Sequence, residues 1–400
     1  MSNGPRLTFL GRFMIFLVIA GCLGLAYHFL LGPRLSRPGP APAASGGGDT
    51  GTPAGSNASL RIGIAYGTEK KLWLEWAVRE YGKTRAGSKV QIDLLPLGSL
   101  ESAQALLSGD KRIQVWSPAS ALYKENFVGD WTVKQSGNAI LKEEALALTP
   151  MVFVMWDERY RAFMQKYGKV SFETIRQALG EKGGWQAIAG KPEWGLFKFG
   201  HTHPNQSNSG LMTLVLMAYE YHHKTRGLEL ADILDVNCQS WMSEIERGVT
   251  GLSNSTGNMM REMILKGPST FDVLFVYESV AIDYLKNAEG RWGSLRVIYP
   301  ESNMWNDNPY YIIDAPWSDA SQRAAAQTFL DYLLTEPVQE QALVHGFRPG
   351  NPAVPIKTPT SPFTMFVASG LRVDLGTVCE PPRAEVLSNL LSSWQRQHAP

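Results

Sequence analysis

Apolar residues follow two alternating rhythms along this chain. Leu60–Tyr66, 90–95 and 113–116 are short apolar or alternating runs, the pattern of half-buried and buried strands. Each run ends in a small polar turn, and apolar positions then recur three and four apart. Gly67 and Thr68 lead to Leu72, Trp73 and Trp76. Gly98 and Ser99 lead to Ala103, Leu106 and Leu107. Ser117 and Pro118 offer an N-cap followed by proline at the first helical position. Two further turns precede helical spacing: residues 200–210 before the apolar run 211–221, and Ser253-Asn254-Ser255-Thr256-Gly257 before Met259, Met260, Met263 and Ile264. Strand, polar turn and helix in repetition predict an α/β fold with mainly parallel sheets.

The turns carry the candidate chemistry. Ser, Thr and Asn oxygens satisfy the first free amides of a helix, and the remaining amides face outward at the positive end of its dipole. That end suits an oxygen-rich or anionic ligand. The densest turn is Gly200-His201-Thr202-His203-Pro204-Asn205-Gln206-Ser207-Asn208-Ser209-Gly210. Taken singly, each turn reads equally as an ordinary capped helix. Five of them, nearly free of Lys and Arg, describe a cleft lined by neutral donors at the carboxyl ends of the strands, where such folds bind ligands.

A chain of 400 residues exceeds the usual single core, so two lobes are expected, and 44% hydrophobic content with twelve tryptophans can fill them. A formal net charge of +1 with dispersed basic residues excludes an electrostatic nucleic-acid footprint. At the amino end, Arg6 and Arg12 precede a nearly unbroken apolar run over 13–31, close to the roughly 20 residues of a membrane-spanning helix. The leading charges place residues 1–12 in the cytoplasm. Ile19-Ala20-Gly21-Cys22 also resembles a lipobox, so two readings stand: an uncleaved anchor, or a lipoprotein attached through Cys22. Both put the body outside the bacterial inner membrane, in the periplasm or beyond the cell. Residues 32–59, rich in Pro, Gly, Ala and Ser, read as a flexible tether. Cys238 and Cys379 form an even pair that an oxidising compartment allows to be bridged.

Four stretches carry a resemblance. They are Phe199-Gly200-His201-Thr202-His203-Pro204 through Ser209-Gly210, Val115-Trp116-Ser117-Pro118-Ala119-Ser120, Gly267-Pro268-Ser269-Thr270-Phe271-Asp272-Val273 with Val276-Tyr277-Glu278, and His345-Gly346-Phe347-Arg348-Pro349. Together they resemble the bacterial extracellular solute-binding proteins of the type II periplasmic-binding fold. Within that group they are similar to the molybdate/sulfate-binding branch and its cousins found near von Willebrand factor A proteins. The resemblance spans residue 60 to the carboxyl end. It implies a first lobe over 60–147, a second over 148–299, and a return to the first over 300–400. Residues 149–155 and 295–299 are then the two hinge strands, and ligand is trapped when the lobes close. It also implies an ABC-type permease or a von Willebrand factor A protein as partner. In the molybdate-binding relatives a tyrosine in the matching Val-Tyr context donates to the bound oxyanion, which gives that role to Tyr277. Glu278 beside it would repel an anion. Either Glu278 points away or the ligand is not an anion.

Enzyme signatures are missing. There is no Gly-x-Ser-x-Gly elbow and no Gly-x-x-x-x-Gly-Lys-Ser/Thr loop. His201 and His203 lack the further ligands of a metal site, and no cofactor is called for. Arg348 is a ligand-binding guanidinium or half of an ion pair, and residues 305–309 line the cleft mouth or make a plain turn. The expected ligand-binding residues are Thr68, Ser99, Ser117, Ser207, Asn208, Ser209, Thr256 and Tyr277, all but the last at helix openings. Two functions remain: capture of a small polar solute, with an oxyanion among the candidates, or a membrane-assembly module that keeps the fold without a ligand. A cleft plugged by side chains would favour the second.

Overall fold

The structure is a computed structural model that describes residues 60–135, 137–288, 290 and 292–398. Two sheets organise these residues. The chain lays down β1 (Leu60–Tyr66), β2 (Val90–Pro96), β3 (Val115–Ser117) and β4 (Ile140–Ala145) in lobe 1, and β5 (Ala147–Leu148) leads out of it. Lobe 2 holds β6 (Met151–Trp156), β7 (Phe199–Gly200), β8 (Val273–Tyr277) and β9 (Leu295–Ile298). After β10 (Ser302–Asn303), β11 (Pro309–Ile313) returns to lobe 1; β12 (Arg348–Pro349) pairs with β5, and β13 (Thr377–Val378) with β10. The strand orders are β2-β1-β3-β11-β4 and β7-β8-β6-β9.

Composition explains these places. β6 and β8 are unbroken apolar runs buried along their whole length, as strands covered on both faces must be. β4 alternates half-buried and exposed residues, and its charged run, half-buried Lys142 and Glu144 around exposed Glu143, suits an edge.

The expectation of mainly parallel sheets needs correction. β1 pairs in parallel with β2 and β3, and β7 with β8, but β11 runs against β3 and β4, and β6 against β8 and β9. The reason is the crossing. β1, β2 and β3 run toward the lobe boundary and end in its turns. β6 and β11 each start at that boundary after a crossing and run away from it.

Lobe 1 packs one face of its sheet with Ile62, Ile64, Trp73, Phe329 and Phe347, and the other with Trp116, Phe127, Trp131 and Tyr311. The helices Ala320–Leu333 and Glu336–Val344 belong to it. The last stretch does not. Val354, Phe363, Leu371, Leu387, Leu390 and Trp394 join the core of lobe 2, so residues 300–400 do not return to lobe 1 as a whole. The Asn208–Tyr221 helix is buried on every side over its first twelve residues and demands cover. The Ala384–His398 helix supplies it with Val386, Leu387, Leu390, Leu391 and Trp394. The same helix reaches lobe 1, where Asn126 Nδ2 donates to Ala384 O at 3.2 Å and to Ser388 Oγ at 2.6 Å.

Cys238 and Cys379 are buried free thiols, their pKa values pushed up by burial to about 12 and about 11. The expected cytoplasmic end, membrane span, Cys22 and tether over 1–59 lie outside the described residues. Among the described residues no helix is long and apolar enough to cross a membrane.

Candidate functional site

Two glycines pack too tightly for a side chain at the ends of the lobe 1 strands, and one of them, Gly98, lets the lobes meet. A Cβ on Gly67 would lie 2.3 Å from the Glu69 carboxylate, and one on Gly98 would lie 2.2 Å from the carbonyl oxygen of Gln206 in the other lobe. Contact at Gly98 is thus backbone on backbone, and Leu100 N donates to Gln206 O at 3.3 Å. Nearby, the hydroxyls of Thr68 and Ser255 share a hydrogen bond of 2.9 Å across the boundary. The lobes are closed on one another.

Lobe 2 faces the boundary with hydroxyls. Ser209 Oγ is a hub, 2.6 Å from Thr202 Oγ1, 2.6 Å from Thr256 Oγ1 and 3.2 Å from Ser207 Oγ. The expected caps behave differently. Asn208 opens the helix, and Ser207 holds the N-cap position with extended backbone but no side-chain cap bond. Ser209 spends its hydroxyl on its hydroxyl neighbours. Thr256 opens its helix, but Ser255 is the cap, accepting from Asn258 N.

Lobe 1 brings charge. Lys70 is fully buried and donates to Glu69, to Pro118 O at 3.0 Å and to Asn308 Oδ1 at 3.1 Å. Burial pulls its pKa down, against the opposing pull of Glu69. Asn308 has φ 44°, a left-handed backbone that asparagine tolerates better than most residues. Its amide also donates to Ala147 O and Asn306 O, fixing the turn that receives Lys70. Ser99 opens its helix, yet its hydroxyl accepts from Ala119 N at 3.0 Å. Ser117 corrects the expectation of an N-cap. It ends β3, no helix starts at Pro118, and the cap of the next turn is Ser120.

The two sides join at Asn208. Its Nδ2 donates to Tyr277 OH at 3.1 Å and to Asn306 Oδ1 at 2.8 Å. Burial, then the Glu69 charge, holds the Tyr277 phenol well above its usual pKa, so it remains a neutral hydroxyl. Asn208 Oδ1 and Ser117 Oγ are buried and have no hydrogen-bond partner. Glu278 points away from Tyr277 OH. It pairs with both nitrogens of the Arg348 fork at 2.8 and 2.9 Å and accepts from Tyr299, which accounts for Arg348 as an ion-pair residue.

Of the eight expected residues, Ser207, Asn208, Ser209, Thr256 and Tyr277 form one connected network, and Thr68 touches its neighbour Ser255. Ser99 and Ser117 lie on the lobe 1 side of the boundary, without a bond to that network. Glu69, Lys70 and Ser255 were absent from the expected set, and Asn308 belongs to the 305–309 stretch read as cleft mouth or plain turn. A cavity of about 320 Å³ opens beside the closed core, with Thr68, Glu69, Glu101, Ser255, Arg261 and Asp283 on its walls. His201 is engaged elsewhere: Nδ1 meets Thr202 O at 2.8 Å and Nε2 meets Glu246 at 2.9 Å, while Glu246 also accepts from Trp394.

A model of the bacterial extracellular solute-binding protein family matches residues 62–348. No curated protein matches the chain in sequence. Solved structures share the fold at low identity. A periplasmic thiamin-binding protein aligns with TM-score 0.60 and 12% identity, over 88% of this chain and 100% of that one. The sulfate-binding protein SubI from Mycobacterium tuberculosis H37Rv aligns with TM-score 0.53 and 14% identity, over 80% and 94%. The periplasmic binding protein AfuA from Actinobacillus pleuropneumoniae, with fructose-6-phosphate bound, aligns with TM-score 0.53 and 13% identity, over 85% and 99%.

Proposed function

The chain belongs to the family of bacterial extracellular solute-binding proteins, and from that premise we propose that it captures a small polar solute between its two lobes, outside the cytoplasm, on an amino-terminal membrane tether. The observation that carries this reading is the closed boundary. Helix openings from both lobes meet there, and they surround buried polar atoms, Asn208 Oδ1 and Ser117 Oγ, that have no partner within the protein. Buried polar groups are nearly always satisfied, so unmet ones at a lobe boundary mark a place for a ligand. The ligand binds Thr68, Ser207, Asn208, Ser209, Thr256 and Tyr277, with Ser99 and Ser117 on the far wall. Solute reaches an ABC-type permease from the closed form. The tether is the apolar run 13–31, or lipidated Cys22.

A second reading has one observation in its favour. Glu69, Lys70, Asn208 and Tyr277 fill the core with the protein's own side chains, as a ligand-free module paired with a von Willebrand factor A protein would. A thermal-shift screen separates the two. A solute that binds the folded state raises the melting temperature by mass action, and the solute-capture reading expects at least one hit, weakened in Ser209→Ala. A screen of oxyanions, sugars, amino acids and amines without a single shift supports the module.

A further inference from the structure

The amino ends of the lobe 1 strands make a face of their own. β1, β2 and β3 run toward the lobe boundary, so their first residues lie at the opposite end of the sheet, with Leu60 beside Val90. The helix Lys71–Tyr81 leaves the carboxyl end of β1 and feeds the amino end of β2, so its last turn and residues 82–89 come to that same end. Residues 110–112 lead into β3 there. Gln114 N donates to Gly63 O at 3.0 Å, and Arg61, Asp93, Lys111 and Arg112 line one recess.

Charge is uneven on this face. The whole chain has 38 basic and 37 acidic residues, but residues 61, 79–93 and 110–112 hold seven basic side chains against three acidic ones. All seven cations are exposed, and all three carboxylates are half-buried, so the face presents positive charge outward. Asp93 pairs with Arg61, Asp110 with Arg112 at 2.6 Å, and Glu80 with Lys83 at 2.8 Å and Arg79 at 3.7 Å. Arg85, Lys89 and Lys111 have no carboxylate partner among the described residues. The rest of that end, where β11 finishes and β4 begins, adds Lys134 and Arg323 against Asp314 and Asp319 and leaves the excess unchanged. These cations are dispersed in sequence, and the parallel strands gather them.

We propose that this face of lobe 1 rests on an anionic lipid bilayer. The inference goes beyond solute capture and rests on the tether of that reading. The chain enters the fold at Leu60, which opens β1 on this same face, so a membrane segment at 13–31 brings the bilayer within reach of the basic side. Anionic headgroups attract clustered Lys and Arg over about a Debye length, and a single membrane attachment gains from such a second one. The lobe boundary, at the other end of the same strands, then faces away from the bilayer, and handing solute to a permease requires the face to let go.

The test puts the full chain on vesicles of phosphatidylglycerol and of phosphatidylcholine and follows amide hydrogen exchange. Amides of 82–89 and 110–112 should exchange several-fold more slowly on phosphatidylglycerol than on phosphatidylcholine, and high salt should remove the difference. Lys89→Glu with Lys111→Glu should abolish it at an unchanged melting temperature. If that variant fails to fold, the neutral pair Lys89→Gln with Lys111→Gln should still weaken it. Equal exchange on the two lipids would overturn the proposal. Protection by soluble polyglutamate and not by phosphatidylglycerol would also overturn it, and would make the partner an acidic protein. A chain that does not attach to phosphatidylcholine counts against the tether alone, because the phosphatidylglycerol arm still reads the face.

Discussion

The two lobes bring opposite chemistry to one boundary. Lobe 1 contributes a buried ion pair, Glu69 with Lys70, held by a carbonyl and by Asn308. Lobe 2 contributes a chain of neutral hydroxyls centred on Ser209. The difference teaches how such a cleft divides its tasks. A buried charge pair tolerates no vacancy, so the lobe 1 side is fixed in position and in sign. Hydroxyls rotate and serve as donor or acceptor, so the lobe 2 side can adapt to what it closes on.

The most severe way to break this comparison is Lys70→Met. It leaves Glu69 buried without its partner, which costs roughly 3–5 kcal/mol. Urea denaturation should show that loss, and Lys70→Met with Glu69→Gln should recover much of it. A single variant as stable as the parent would mean that the pair is not buried. On the other lobe, Ser209→Ala should cost less, about 1–3 kcal/mol of stability, because three hydroxyls lose their common neighbour but can turn to others. Its affinity for a confirmed solute should fall about tenfold. If Ser209→Ala proves the costlier of the two, the contrast between lobes is wrong.

Thr68→Val probes the boundary itself. Removing the bond to Ser255 should cost about 0.5–1.5 kcal/mol of closure and enlarge the unliganded particle in small-angle scattering. Dimensions identical to the parent would show that the contact does not hold the lobes.

A smaller effect comes from His201, in lobe 2 behind the hydroxyl chain. Burial pushes its pKa down, but the charge and hydrogen bond of Glu246, helped by Thr202 O, outweigh that, and the net direction is up. A raised histidine stabilises the fold fully below its unfolded pKa of about 6.5, and the gain is lost as pH rises through the folded value. Stability should therefore fall as pH rises from about 6.5 through the raised folded value, a step that His201→Gln removes. The smallest expected effect is none: a reductant should leave the melting temperature unchanged, since Cys238 and Cys379 are free thiols.

The strand–turn–helix order was legible because it depends on neighbours in sequence. So were the hydroxyls of Ser207, Ser209 and Thr256, which sit at helix openings where their spacing announces them. The lobe 1 half of the site was not. Nothing local distinguishes Lys70 from a solvated lysine; it is buried because Asn308, 238 residues away, turns its amide toward it. Glu278 and Arg348 each looked ambiguous alone and become plain once paired across 70 residues. Ser117 shows the converse error. Serine before proline is a sound local sign of a helix start, but the strand pairing with Tyr66 claims it first.

Amide exchange at Leu100 and Glu101 tests the central claim most directly, since both donate to Gln206 O across the boundary. With a solute found in the thermal-shift screen, the account predicts that these two amides become strongly protected while the amide of an exposed loop residue such as Gly227 does not change. Equal exchange with and without bound solute would contradict closure of the lobes on a ligand.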